Sequence, residues 1–490
     1  MKKPNILLIL LDGCRADRLG CYGYKVRPTS PNLDKLAKDG FVALNHYSTS
    51  NCTMPAVVSM MTGLYPCVHK ASSTFSYYDG KYPFLTEILQ ENGYYTFGIT
   101  NNLAAMSPEW GFVRGYDRYY RIGKHNNWFK ESKEEQRGAI KSSLDIRIKR
   151  GIIRMLNSFI PSLSKFLIQR SRLKYYRSTD MGGRKAVENF SQALQERDKS
   201  KPFFGYINLP DTHAPYLPPV PEIEKISRRV FEANLDPLKF IDSQITLNSA
   251  QIDQLNFGYD LCVSYSDSLL GNIIEKLKSL HLYEETLIII TSDHGGMLYE
   301  KNRLIGGKYF GFEEEIKSLF IAINSHKKGQ TNKITSATDL FPTILNFIGI
   351  KIPKNIHGID LFSDKFHESI VVDSPSLAPY LIGDSSYLKI HNGFFRSLIT
   401  KSLLKIIYLD KEIKYIFNLT NDPKEESNLK CQYDGHSLRN EILEKYVFLS
   451  GNINFDLNQY IHNEIGQALK SIPPIEEINL KFNSTSITYT

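Results

Sequence analysis

Cysteine is sparse in this chain and badly spaced for its common structural uses. The six cysteines, Cys14, Cys21, Cys52, Cys67, Cys262 and Cys431, include no Cys-x-x-Cys pair. That excludes a zinc-finger framework and a small disulfide scaffold, and it reads as a reduced, cytoplasmic protein. Long hydrophobic runs are also missing, since no stretch approaches the roughly 20 apolar residues of a membrane span. The opening MKKPNILLILLDG pairs two lysines with an apolar run. Its Ile6–Leu11 core is shorter than the ~7–15 residues of a signal peptide and ends on Asp12 without a small-residue cleavage site. No repeat of ~20–50 residues is present, which argues against a solenoid or propeller.

What the chain does have is bulk. Its 490 residues are 42% hydrophobic, 12% aromatic and 23% charged, enough for a large packed core and incompatible with disorder. The net charge of +8 is concentrated in one place: Arg137–Arg177 holds eleven Lys/Arg against a single acid, Asp145, and the remainder balances at −2. A nucleic-acid-binding domain, which needs a basic surface of its own, is therefore not expected. Within that segment Ile148, Ile152, Met155, Leu156, Phe159, Leu163, Phe166 and Leu167 recur mostly at three- and four-residue steps. This is the pattern of a basic amphipathic helix or helix pair broken near Pro161. It reads either as an insertion packed on the main domain or as a docking segment, through 137–177, for an anionic membrane on the inner face or a phosphorylated substrate.

Strand-like and helix-like stretches alternate along the rest, which predicts an α/β architecture with a central, mostly parallel sheet flanked by helices. Strands are expected at Ile6–Leu11, Tyr94–Thr100, Pro202–Leu209, Thr286–Thr291 and Leu319–Ile323. Helices are expected at Asn32–Asp39, Met54–Thr62, Leu85–Asn92, Asp180–Glu196, Gln251–Leu280 and Ala337–Phe347. After about residue 365 the texture changes to short alternating runs at Tyr387–Ile390, Phe395–Ile399, Leu404–Leu409 and Lys414–Phe417, which suit a small antiparallel sheet. The expected division is a catalytic domain over 1–365 carrying the insertion 125–178, a small C-terminal antiparallel subdomain over 366–430, and a helix with a polar tail over 431–490.

Chemistry in an open α/β sheet gathers at the carboxyl ends of strands. Asp12 ends the first strand, and Asp293-His294 in TSDHGG follow ETLIIITS directly. An acid and an imidazole at one strand end, with two glycines behind them, suit a divalent metal; singly, each is also compatible with a turn or cap. In NCTMPAVVSMMTGLYP, Thr53 stands before Met54-Pro55 and an apolar helix that closes at Gly63. It reads as an N-cap, or as a hydroxyl nucleophile at the positive end of a helix.

Together these pieces resemble the sulfatase family of the alkaline phosphatase superfamily. PNILLILLDGCRADRLGCYGY resembles its opening strand and metal aspartate, SPNLDKLAKDG its first helix, and TGLYP the end of its nucleophile helix. KPFFGYINLPDTHAPY is similar to the strand bearing an active-site histidine, TSDHGG to the second metal pair, and GKYFGFEEEIKSLFIAI to a lysine-bearing segment. DLFPTILNFIGIKIP, HGIDLF and YIFNLTNDPKEESNL resemble the later helix, loop and C-terminal strand. The likeness spans nearly the whole chain except roughly 125–178 and the last 60 residues.

Two departures shape what the resemblance implies. Formylglycine-dependent members carry Cys-x-Pro-x-Arg, with the cysteine nine residues before Thr-Gly. Here that position is Thr53; Cys52 is one place early, and no arginine follows where the motif needs it. The second N-terminal acid is absent too, because Gly13 follows Asp12. What remains resembles the single-metal, threonine-nucleophile branch, the phosphoglycerol and phosphoethanolamine transferases. The resemblance implies one divalent ion (Mn, Mg, Ca or Zn) held by Asp12, Asp293, His294 and Thr53, with no formylglycine. It implies Thr53, His213 and Lys308 as catalytic groups, and Arg15, Asn102, His213 and Lys308 as contacts to an anionic ester, possibly glycan- or lipid-linked. A threonine ester lacks the elimination route open to a formylglycine sulfate, which tilts the expectation towards phosphate-ester hydrolysis or transfer. A sulfuric-ester hydrolase and an inactive binding module remain as alternatives.

Overall fold

The computed structural model describes residues 3–71, 78, 80–102, 105–108, 111–122, 180–235, 246–303, 305–306, 311–375, 394–409 and 412–432. The basic insertion, Lys308, the expected strand Tyr387–Ile390 and the C-terminal tail lie outside these residues. Among the described residues no helix is long and apolar enough to cross a membrane.

A nine-stranded sheet forms the centre. Its strands are β1 (Asn5–Leu11), β2 (Phe41–Tyr47), β3 (Tyr95–Thr100), β4 (Arg118–Arg121), β5 (Phe203–Leu209), β6 (Thr286–Thr291), β9 (Lys317–Ser318), β10 (Phe320–Ile323) and β11 (Gly329–Ser336); β7 (Met297–Leu298) and β8 (Ile305–Gly306) make a separate two-stranded pair. The order is β11-β2-β10-β6-β1-β5-β3-β4, with β9 beside β2. β1 pairs in parallel with β5 on one side and β6 on the other, while β10 runs antiparallel to both neighbours.

β1 is continuous in apolar residues because both its faces are covered, as parallel sheets require. Leu7, Ile9 and Leu11 point into one core with helices α1 (Pro31–Asp39), α4 (Gly183–Glu196) and α5 (Ser249–Ser279). Ile6, Leu8 and Leu10 point into the other, with α2 (Thr53–Thr62), α3 (Leu85–Glu91) and α6 (Leu340–Phe347). The two clusters make one α/β sandwich with the sheet as its middle layer. Each fully buried aliphatic side chain contributes about 1.5–3 kcal/mol.

α5 does more than cover a face. Its Asp267 accepts hydrogen bonds from the amides of Asn32 (3.0 Å) and Leu33 (2.8 Å), satisfying the first turn of α1, whose own cap residue Ser30 makes no side-chain cap bond. Its Tyr259 hydroxyl donates to the Gly13 carbonyl (2.9 Å) and accepts from the Arg15 amide (2.8 Å). The longest helix thus pins the turn that follows β1.

The C-terminal unit is a separate four-stranded antiparallel sheet, β12 (Ser369–Pro375), β13 (Phe394–Thr400), β14 (Leu404–Leu409) and β15 (Glu412–Asn418), in that order. Its first strand is Ser369–Pro375, which the alternation rule passed over. Among the described residues, polar contacts between this unit and the main one include the Asp373 amide donating to the Thr49 carbonyl (2.9 Å) and the fully buried Lys405 pairing with Glu313 (3.1 Å), beside a shared apolar cluster that holds Tyr47, Ile334, Ile370 and Phe395.

Candidate active site

Asp12, Asp293 and His294 emerge from the carboxyl ends of β1 and β6, neighbouring strands whose register pairs Leu10 with Thr291. Thr53 approaches from the other layer as the first residue of α2, with Cys52 in the cap position. The expectation of Thr53 as the cap is therefore off by one residue, and the shift matters. The hydroxyl of Thr53 faces the strand ends, 3.3 Å from His294 Nε2. The fully buried Cys52 sulfur lies 3.6 Å from Asn51 Oδ1.

The turn after β6 is built by backbone donors. Asp293 Oδ1 accepts from the amides of Gly13 (3.1 Å) and His294 (3.0 Å). Its Oδ2 is buried without a hydrogen-bond partner, as is Asp12 Oδ1. These two open oxygens lie 3.5 Å and 3.9 Å from His294 Nε2. His294 Nδ1 sits 2.7 Å from the Gly295 carbonyl, so Nδ1 carries the hydrogen and Nε2 presents a lone pair. Burial first and Asp12 second push the Asp293 carboxyl above its usual range. Two orphaned carboxylate oxygens and an imidazole lone pair, buried together, are what a hard or borderline divalent cation needs. The residues fit such an ion.

His213 enters from the loop after β5. Asp12, His213 and His294 each offer one ligand atom within 4.8 Å of the others, and the two imidazole rings stand 5.9 Å apart, nearly perpendicular. Gly13 has φ +72°, and a side chain there would press on the His213 backbone at 3.3 Å. The left-handed φ together with that close approach favours glycine at this position.

Two residues expected to touch substrate are engaged elsewhere. The Arg15 guanidinium is spent on Asp17 (2.9 and 2.7 Å), Glu300 (2.8 Å) and the Gly296 carbonyl (3.0 Å), which braces the turn behind His294. Asn102 donates its amide to Asp12 Oδ2 (2.9 Å).

Two other residues, Asn208 and Glu315, carry weight that the motifs did not reveal. Asn208, fully buried, also donates to Asp12 Oδ2 (3.2 Å); a lone amide inside the otherwise apolar run FFGYINL was its signal. Glu315 takes the Gly295 amide on its carbonyl (2.8 Å) and the Asn51 side chain on Oε1 (3.2 Å), joining the turn after β6 to the turn before α2. Nothing in EEEI marks that residue out.

The family model that matches residues 4–350 is Sulfatase. The chain belongs to the sulfatase family. Its superfamily is that of alkaline phosphatase, and it is a hydrolase of that superfamily. An arylsulfatase of Clostridium perfringens (strain 13 / Type A) is 24% identical over 472 residues, covering 87% of this chain and 90% of that one. Among solved structures, the phosphonate monoester hydrolase of Agrobacterium radiobacter superposes with a TM-score of 0.65 at 19% identity, over 92% of this chain and 96% of that one. A protein solved with its substrate D-glucosamine-2-N,6-O-disulfate gives 0.63 at 14% identity, over 91% and 98%.

Proposed function

We propose that this sulfatase-family hydrolase cleaves or transfers phosphate esters through a covalent Thr53 intermediate at a single divalent-metal site. The observation that supports this reading is the first turn of α2: the Thr53 hydroxyl lies 3.3 Å from His294 Nε2, while the Cys52 sulfur lies 3.6 Å from Asn51 Oδ1. Asp12 Oδ1, Asp293 Oδ2 and His294 Nε2 would hold the ion. Bound there, it would lower the pKa of the threonine hydroxyl and offset charge on the incoming anion.

The chain's own groups do the rest. The start of α2, where Pro55 leaves Thr53 and Met54 as the first free amides, would favour the negative oxygens of an incoming anion. Thr53 Oγ1 forms its bond to phosphorus as the opposite ester bond breaks, and its hydroxyl proton passes to solvent. His213, with Nδ1 2.9 Å from the Ala214 carbonyl, keeps Nε2 for a proton delivered to the leaving oxygen. Water or an acceptor alcohol then attacks the phosphothreonine in line. A sulfate monoester on threonine would have to be released by attack at sulfur, without the elimination open to a formylglycine hydrate, and this favours phosphorus. The sulfuric-ester reading is carried by the relatives' names: one is an arylsulfatase, another was solved with a disulfated glucosamine.

Turnover of an aryl phosphate, a phosphodiester and an aryl sulfate by the Mn²⁺-loaded protein distinguishes them. The expected result is phosphate-ester turnover that Thr53→Ala abolishes and Cys52→Ala largely retains. Formylglycine at position 52 by mass spectrometry, or turnover confined to the sulfate, would reverse the assignment.

A further inference from the structure

The two oxygens of Asp12 are not equivalent. Oδ2 receives two side-chain amides, Asn102 Nδ2 at 2.9 Å and Asn208 Nδ2 at 3.2 Å, while Oδ1 has no hydrogen-bond partner and lies 3.9 Å from His294 Nε2. Both amides are held in place. Asn102 accepts from the Ala105 amide (3.2 Å) on Oδ1, and its own backbone donates to Thr100 Oγ1 (3.1 Å). Asn208 is fixed by the sheet: β5 pairs it with Leu10, two residues before Asp12. A carboxylate at either position would repel Asp12, and a hydrocarbon would take away one of the two donors of a buried carboxylate oxygen.

We propose that Asn208, with Asn102, is a positioning residue that occupies Asp12 Oδ2, so that Asp12 meets the divalent ion through Oδ1 alone. The proposal rests on the metal site assigned above. It also accounts for how one aspartate suffices where a second acid is missing: the carboxylate is oriented by two neutral donors rather than accompanied by another charge. Partners of this kind, one step removed from the ion, typically alter metal affinity about 10- to 100-fold.

Isothermal titration of the full-length protein with Mn²⁺, together with thermal unfolding of the metal-free forms, provides the test. Asn208→Asp keeps the shape but cannot donate, Asn208→Leu removes the donor, and Asn102→Ala removes its partner from a less buried position. Each is expected to weaken Mn²⁺ binding about 10- to 100-fold without changing a stoichiometry of one. If Asn208→Leu does not fold, the near-isosteric Asn208→Asp and the Asn102→Ala protein decide the matter. Unchanged affinity in folded variants overturns the proposal. So does tighter binding by Asn208→Asp, which would make residue 208 a direct ligand. A wild-type protein that binds no Mn²⁺ instead overturns the metal site itself.

Discussion

The imidazole of His213 has one nitrogen committed and one free. Its Nδ1 lies 2.9 Å from a carbonyl that can only accept, so the hydrogen sits there and Nε2 is the working atom. One ring nitrogen of His213 lies within 4.8 Å of ligand atoms of Asp12 and His294, close enough to share an ion, and under the proposed mechanism Nε2 would instead protonate a leaving group. The two roles separate in one variant. As an acid, His213→Asn lowers kcat about 10²- to 10⁴-fold for an alkyl ester, has little effect on a nitrophenyl ester whose leaving group needs no proton, and leaves Mn²⁺ affinity unchanged. Steady-state kinetics on both esters, with titration calorimetry, checks this; a loss of metal affinity would assign His213 to the ion.

At the scale of elements, the four-residue helix Glu313–Ile316 joins the two sheets. Glu315 faces the metal turn, while Glu313 faces Lys405 of β14, with Tyr47 also donating to Glu313 (3.2 Å). Two acids share one fully buried lysine, and burial together with Glu313 pushes Glu425 up to about 7. Lys405→Met leaves both carboxylates without that cation and should cost about 3–5 kcal/mol, visible as a lower denaturation midpoint. The pH dependence has a definite sign. The folded state holds the Glu425 proton more tightly than the unfolded chain, whose carboxyl titrates near 4.5. Its contribution is therefore complete below about pH 4.5 and is lost as the pH rises through about 7. Melting curves from pH 5 to 8 should slope downward in this range, and less so for Glu425→Gln.

How far these elements were legible depends on what each strand covers. β1, β5 and β6 read clearly because both faces are buried, and Asp12, Asp293 and His294 were legible as polar residues at their ends. β2 was missed because Asn45 and His46 interrupt its apolar run, and β11 because GQTNKITS, a sheet-edge strand exposed over its first half, has no apolar period. Asn208 was not legible as a partner of Asp12, since that contact depends on β5 lying beside β1 across 196 residues of sequence.

For the whole molecule, the site sets charge against stability. Asp12 and Asp293 are buried close together, and repulsion between them is relieved only by a cation or a proton. A divalent ion at 100 times its dissociation constant should stabilise the fold by about 2.7 kcal/mol, so chelation is expected to lower the melting temperature. Asp293→Asn should raise the melting temperature of the metal-free protein, because it removes the repulsion, and should abolish the metal-induced increase. Differential scanning fluorimetry with and without EDTA checks both halves; a destabilised metal-free Asp293→Asn protein would contradict the account.

The order of strands carries a kinetic consequence. Asp12, Asn208 and Asp293 come from β1, β5 and β6, which adjoin in space but are strung across some 280 residues of chain. Closing loops of that length precedes any reward from the contacts they bring together, which makes such assemblies slow. In the unfolded chain a cation would meet only the adjacent Asp293-His294 pair, without Asp12. The complete site would exist only in the folded protein, so the effect of an ion should fall on how slowly the protein comes apart rather than on how quickly it forms.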